Sequence, residues 1–401
     1  MFSYYIILTF CKSKIFILKN ISILIGGDIC PSGLDEIALK NGDASSVFND
    51  LLPCFMESEF VVVNIESPFV ETPSLMLKSG PAHKADPKCV KGLKIANIHA
   101  VNLANNHILD HGALGLISTI NSLDSAGIAF VGVGRNIQEA SKLLIQEIGD
   151  LRVAFLSMAE REYSIATEHS WGANHIDIID FCRLIKRSKG QYDRLIVLLH
   201  AGAELFPYPT PRLQKLCRFL VEEGAHAVIC QHSHCAGARE IYLNAPIVYG
   251  QGNLLFNVQN MPSIWYSGYL VRLIVDLENP AFKMEMIPYF QSKDKYGVFR
   301  MNLDEEVEFF NQLNQYNNAL NNSEILYNVW RDYCFSNKSM YFCCILRYGK
   351  LLRIIDRYIN ISENSLSVKS LLILLNLFRC DTHREALECI FEDKLQFSSY
   401  K

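Results

Sequence analysis

Five aliphatic runs along the chain each end in a polar signature. Ile21 to Ile25 leads into Gly27-Asp28, Phe60 to Val63 into Asn64-Ile65-Glu66, and Ala100 to Leu103 into Asn105-Asn106-His107. Leu195 to Leu199 leads into His200-Ala201-Gly202-Ala203-Glu204, and Ala227 to Ile229 precedes His232-Ser233-His234. Runs of this kind predict buried strands, so the polar residues fall at or just beyond strand carboxyl ends. In open α/β sheets that is the edge where ligands bind. Between the runs the spacing turns helical. Leu116, Ile120 and Leu123 share one helical face, and Leu213, Leu216, Cys217, Leu220 and Val221 fill an i, i+3, i+4, i+7, i+8 stripe. Gly127 and Gly224 follow where a helix end favours glycine, and strands resume at Ile128 to Val131 and Ala227 to Ile229. The alternation predicts repeated βα units whose right-handed crossovers bring the strand ends to one edge.

Tyr269 to Asp276 and Phe282 to Ile287 read as two strands joined through Glu278-Asn279-Pro280, a hairpin closing the domain. After about residue 300 helical periodicity takes over, and Thr382-His383-Arg384-Glu385 has the form of a capping box opening the last helix. Leu371 to Phe378 is apolar but too short to span a bilayer, so the tail is expected to pack on the core rather than enter a membrane. At the other end Phe2 to Cys11 is apolar, with Lys12, Lys14 and Lys19 after it instead of before it. That is not the order of a signal peptide. Two readings stay open there: an extra strand or disordered start, and a membrane-surface anchor. The expected organisation is a leader or strand over residues 1–20, a large α/β domain over 21–300 and a helical region over 301–401.

Composition narrows the function classes. A chain of 401 residues, half of them apolar, can bury one large core plus an appended module. The formal charge of -4 gives no basic footprint, so no nucleic-acid partner is expected. Thirteen cysteines at irregular spacing, with Cys343-Cys344 adjacent, form neither a secreted disulfide framework nor a zinc-ligand pattern. Secretion is thus not supported. The expected location is cytoplasmic or peripheral to a membrane.

The polar signatures supply the donors of a divalent metal site. Asp28 and Glu66 offer carboxylates, Asn106 an amide oxygen, and His200, His232 and His234 imidazoles. His107 is the candidate proton donor to a leaving group. Each taken singly has an ordinary explanation: Asp28 as a turn residue, Asn105-Asn106-His107 as a turn, His232 and His234 as core packing. Their shared edge is what sets them apart.

At this level the chain resembles a known family. Gly27-Asp28, Asn64-x-Glu66-x-Pro68, Leu103-Ala104-Asn105-Asn106-His107-x-x-Asp110-x-Gly112, His200-x-Gly202-x-Glu204 and His232-x-His234 are similar to motifs of the CapA family. That family is named for the poly-gamma-glutamate capsule biosynthesis protein, and its fold resembles the calcineurin-like metallophosphoesterases. Pro246 to Phe256 is similar to the family's closing motif, so the likeness runs from about Ile21 to Asn257. The resemblance implies an α/β fold, a four-layer αββα metallophosphoesterase-like sandwich, here followed by a C-terminal helical module. It implies one or two divalent ions (Mn, Zn, Fe or Mg) on Asp28, Glu66, Asn106, His200, His232 and His234, with His107 catalytic. Asn105, Asp110, Glu204 and Asn253 match motif positions expected to touch substrate or to support the ligands. Lys84, where a basic residue precedes the Pro87 turn, has two open readings, a contact to an anionic substrate and an ordinary solvated loop lysine.

The implied function is capsule or exopolymer biosynthesis, as a metal-dependent hydrolase of phosphoester or related polymer linkages. The substrate would be an anionic polymer or a phosphoester. The alternative is a non-hydrolytic accessory subunit of a membrane-associated synthesis complex, with synthase subunits as partners. The chain departs from the wider phosphoesterase pattern at Cys30, which stands where a histidine follows Asp-x, and at Ser233, which stands between the closing histidines in place of proline. Either Gln231 or Cys230 stands in the place of the glycine expected before them.

Overall fold

A computed structural model describes residues 21–275, 281–291, 296–346, 349–359 and 361–398. The expected leader over residues 1–20 and the turn Glu278-Asn279-Pro280 lie outside the described residues.

The aliphatic runs form two sheets. In the first, the strand Ile21–Ile29 lies between Phe60–Ile65, parallel to it, and Ser267–Val275, antiparallel. Ala100–Asn102 and Ala129–Val131 extend the parallel side, while Phe282–Gln291 and Val298–Arg300 extend the antiparallel side. The short strand Asn253–Leu255 pairs with the end of Ile21–Ile29. In the second sheet the order is Arg239–Tyr242, Ala245–Val248, Ala227–Gln231, Arg194–His200, Leu151–Ala159, Leu144–Ile148.

Side-chain alternation then stacks the layers. Ile21, Ile23, Ile25, Phe60 and Val62 of the first sheet meet Val153, Phe155, Ile196, Leu198 and Ile229 of the second in one buried core. The opposite faces, through Leu24, Val61 and Val63 on one side and Val197, Leu199 and Val228 on the other, are covered by helices. Pro211–Glu222 contributes the Leu213, Leu216, Cys217, Leu220, Val221 stripe, and Gly112–Ala126 contributes Leu116 and Leu123. Gly127 caps the latter helix at φ 63. The result is the four-layer αββα sandwich.

Register places polar residues side by side. Asp28 pairs with Asn64 and with Asn253, and Asn64 with Asn102, so three strand ends are level. The pairing jumps from Ile25↔Val62 to Asp28↔Asn64, a bulge that holds Gly26 and Gly27 against Val63. Gly27 is required there. A Cβ on it would sit 2.0 Å from the Gly252 carbonyl oxygen.

Contacts divide the chain into two compact units, one ending at Tyr327 and one beginning at Asn328. The first continues past residue 300 because Phe309 and Leu313 of the helix Leu303–Leu320 enter the core between the sheets. A capping box opens that helix: Asn302 accepts from the Asp304 and Glu305 amides, and Glu305 accepts from the Asn302 amide at 2.8 Å. The box expected at Thr382 is not the start of its helix. Asp381–Ser398 already includes Thr382 in its first turn, and the Arg384 amide bonds back to Cys380. The second unit is helical throughout its named elements, from Lys338–Ile345 to Asp381–Ser398. No helix among the described residues is long and apolar enough to cross a membrane.

Candidate metal centre

The strand ends converge on Glu66. Its carboxylate is fully buried, and neither oxygen has a hydrogen-bond partner. Two sets of ligand atoms share it: Glu66 with His200 and His232, and Glu66 with Asp28 and His234, each set within 4.8 Å of one another.

The first set is crowded with acceptors. His200 Nε2 lies 3.2 Å from Glu66 Oε1, 3.0 Å from Asn106 Oδ1 and 3.0 Å from His232 Nδ1. On its other side His200 Nδ1 lies 3.3 Å from the Asn64 side-chain amide, which holds the ring in place. A carboxylate oxygen, an amide oxygen and two imidazole nitrogens converge there within 3.2 Å of one another or of His200 Nε2. A divalent cation would match that donor set.

The second set is braced from behind. Asp28 Oδ1 accepts from Asn64 Nδ2 at 2.7 Å and Oδ2 from the His232 amide at 3.1 Å. His234 Nδ1 faces Asn253 Oδ1 at 2.8 Å, which leaves Nε2 turned to Glu66 at 3.9 Å. Trp265 packs on His234 with ring centroids 4.6 Å apart. His232 and His234 both adopt positive φ, 94° and 53°, so the loop holds two bulky residues in a left-handed conformation.

Burial sets the protonation states. It pushes Asp28 up to about 6, against the pull of the Asn64 and His232 hydrogen bonds. Glu66 is driven well above the carboxylate range by burial, then by the charges of Asp28, Glu204, Asp110 and Glu162. Burial takes His232 down to about 4 and His234 to about 3, and His200 well below its usual value. Neutral imidazoles are the form that binds metal.

Beside this centre stands a histidine–carboxylate pair. His107 Nδ1 lies 2.7 Å from Asp110 Oδ2, so the carboxylate fixes the proton on Nδ1 and leaves Nε2 to exchange. Asp110 is fully buried and also pairs with the Lys78 ammonium and accepts from the His83 amide at 2.6 Å. Burial raises its carboxyl, but the bonds from His107, Lys78 and His83 outweigh this and hold it below the usual range. Asn105, itself buried, accepts from the His107 amide at 3.1 Å and donates to the Ile65 carbonyl at 2.7 Å. It staples the loop.

The structure therefore gathers Asp28, Glu66, Asn106, His200, His232 and His234, with His107, Asp110, Asn105 and Asn253 around them. Glu204 is exposed, close enough for its charge to act on Glu66. Lys84 is exposed, and its charge acts on His111. Lys78 is the lysine beside His107, at 3.3 Å from Nδ1, its side chain 6% exposed. His83 stacks edge-on against both His107 and Phe256. Neither Lys78 nor His83 was visible in the sequence pattern, because both lie in a polar loop without periodicity. Cys30 packs with Phe256, Trp265 and Tyr266, its thiol raised by burial and by Glu66.

The sequence model of the family described as "Bacterial capsule synthesis protein PGA_cap" matches residues 22–258. The capsule biosynthesis protein CapA of Bacillus anthracis is 28% identical over 249 residues, 60% of this chain and 60% of that protein. The PGA biosynthesis protein CapA of Bacillus subtilis (strain 168) is 27% identical over 235 residues, 58% of this chain and 62% of that one. The match thus spans about three-fifths of these curated relatives' length. Among solved structures, a hypothetical protein from Thermus thermophilus aligns at 13% identity with a TM-score of 0.45, covering 70% of this chain and 100% of that one.

Proposed function

Because the chain belongs to the bacterial capsule synthesis protein PGA_cap family, we propose that it acts in capsule or exopolymer biosynthesis as a metal-dependent hydrolase of phosphoester or related polymer linkages. The observation that carries this reading is Glu66, a buried carboxylate with no hydrogen-bond partner, shared between two ligand sets. The donors fit a pair of divalent ions: Glu66, His200, His232 and Asn106 on one side, Asp28, Glu66 and His234 on the other. Divalent ions there supply Lewis-acid neutralisation of charge on a phosphoryl oxygen and activation of water.

The protein's own residues do the remainder. Asp110 orients His107, whose Nε2 gives its proton to the departing oxygen. The Lys78 ammonium, held against Asp110, places positive charge where an anionic substrate approaches. Asn253 and Asn64 fix the rings of His234 and His200. Phe256 and Trp265 wall the His234 side and limit access of bulk water.

The test is elemental analysis of purified protein combined with phosphomonoester and phosphodiester substrates. Stoichiometric Mn, Zn, Fe or Mg with activity abolished in His200→Ala supports the proposal; metal-free protein whose activity ignores chelators refutes it. One observation favours a second reading, a non-hydrolytic accessory subunit: Cys30 packs into an apolar cluster and leaves the Asp28 set short of a ligand. That reading expects His107→Ala to retain capsule production in a complementation assay.

A further inference from the structure

The helices after residue 338 lie outside the family match, and one of them is turned inside out. Lys350–Ile359 has an apolar arc and a charged arc, yet among its described side chains the acidic Asp356 is the one fully buried. Asp356 accepts from the Ser362 amide at 2.6 Å, the Ser362 hydroxyl at 2.7 Å and the Cys343 thiol at 3.4 Å, and also bonds the Ser339 hydroxyl. These bonds fix the rotation of the helix. Its apolar side consequently faces out, with Leu351 71% and Tyr358 81% exposed. A surface helix of a globular protein does the reverse.

The next long helix also turns apolar side chains outward. Val368–Arg379 buries no residue at all, and Leu372, Ile373 and Phe378 are each more than half exposed. An apolar face of this extent marks a contact surface. Charge identifies the occupant. From Lys338 to Arg379 the chain carries seven lysines and arginines against two acids, and Arg353, Lys369 and Arg379 are exposed beside the apolar side chains. A second copy would bring like charges together. An anionic lipid headgroup layer would neutralise them while its acyl boundary takes up the apolar side chains.

We infer that residues 350–379 form an interfacial docking surface for an anionic lipid bilayer, with the two helices lying in the membrane plane. Asp356 is the positioning residue, since it holds the Lys350–Ile359 helix with its apolar side outward. The inference does not depend on the metal centre.

Amide hydrogen exchange of the full chain tests it, read peptide by peptide, with vesicles of phosphatidylcholine alone or phosphatidylcholine containing phosphatidylglycerol. The expected result is new protection within 350–379 only with the anionic vesicles. Tyr358→Glu combined with Leu372→Glu abolishes that protection, while far-ultraviolet circular dichroism and metal content stay as in the parent. Arg353→Gln combined with Lys369→Gln raises the vesicle concentration for half protection about 30-fold, two cations being removed from the surface. Absence of protection in this segment, or equal protection by neutral vesicles, overturns the inference. So does protection that rises with protein concentration without lipid, which would assign the face to a second copy.

Discussion

Glu66 Oε1 lies 3.2 Å from His200 Nε2, and that carboxylate accepts no hydrogen bond. A buried anion so placed is costly unless a cation meets it. Glu66 belongs to both ligand sets, whereas His232 and His234 belong to one each. Glu66→Ala is therefore expected to lower bound metal at both positions, and His234→Ala at one. Metal-to-protein ratios after dialysis distinguish the two patterns. Asn253→Ala, which frees the His234 ring, should weaken metal affinity by about 10- to 100-fold without removing a ligand.

Proton transfer should separate from metal binding. His107→Ala is expected to retain metal and to lose about a hundred- to ten-thousandfold in turnover of a phosphoester. Asp110→Asn keeps the shape but no longer fixes the proton on Nδ1 or pairs with Lys78, so turnover falls and its pH profile shifts. Steady-state rates across pH, measured with metal content alongside, provide the check. Loss of metal in His107→Ala would contradict this division.

Metal affinity should fall as pH drops through about 6. Asp28 is raised to about 6 by burial and Glu66 is raised well above the usual carboxylate range, so both take up protons where the His232 and His234 imidazoles remain neutral. Protons and metal compete for these oxygens. The dependence is about tenfold per pH unit for each carboxylate that must lose a proton on binding. Asp28→Asn should make the slope shallower by one proton. Competition titration with a chelating dye between pH 5 and 8 reads it.

Gly27→Ala tests the clasp between the first and last motifs. The new Cβ would meet the Gly252 carbonyl oxygen at 2.0 Å, and that oxygen belongs to backbone, which cannot swing aside. We expect a loss of about 2 kcal/mol or more in urea unfolding, together with displaced Asp28 and weakened metal binding. Unchanged stability would mean that the bulge relaxes freely.

Much of this architecture was legible because burial and periodicity coincide. The run Leu195 to Leu199 is buried on both faces, so it reads as continuous aliphatic sequence and stops where His200 meets the cleft. Gly127 announced its helix end through its own conformation, φ 63. The limits were equally physical. Helical spacing after residue 300 suggested a new module, but Phe309 and Leu313 pack between the sheets, and element type carries no information about which core an element joins. Lys78 and His83 reach His107 from a polar loop whose path depends on Asp110, and no one-dimensional pattern encodes that path. The cap at Asn302 does not stand out in the sequence because asparagine fills the place that serine or threonine takes in the usual box.

The left-handed backbone at His232 and His234 sets stability against chemistry. Each residue carries a conformational cost of about 1–3 kcal/mol that glycine would largely relieve. A library screened for thermal tolerance alone would drift toward glycine at both positions and shed the imidazoles from the cleft. Thermostabilising this protein while keeping its site intact therefore means leaving that strained loop untouched and gaining stability elsewhere.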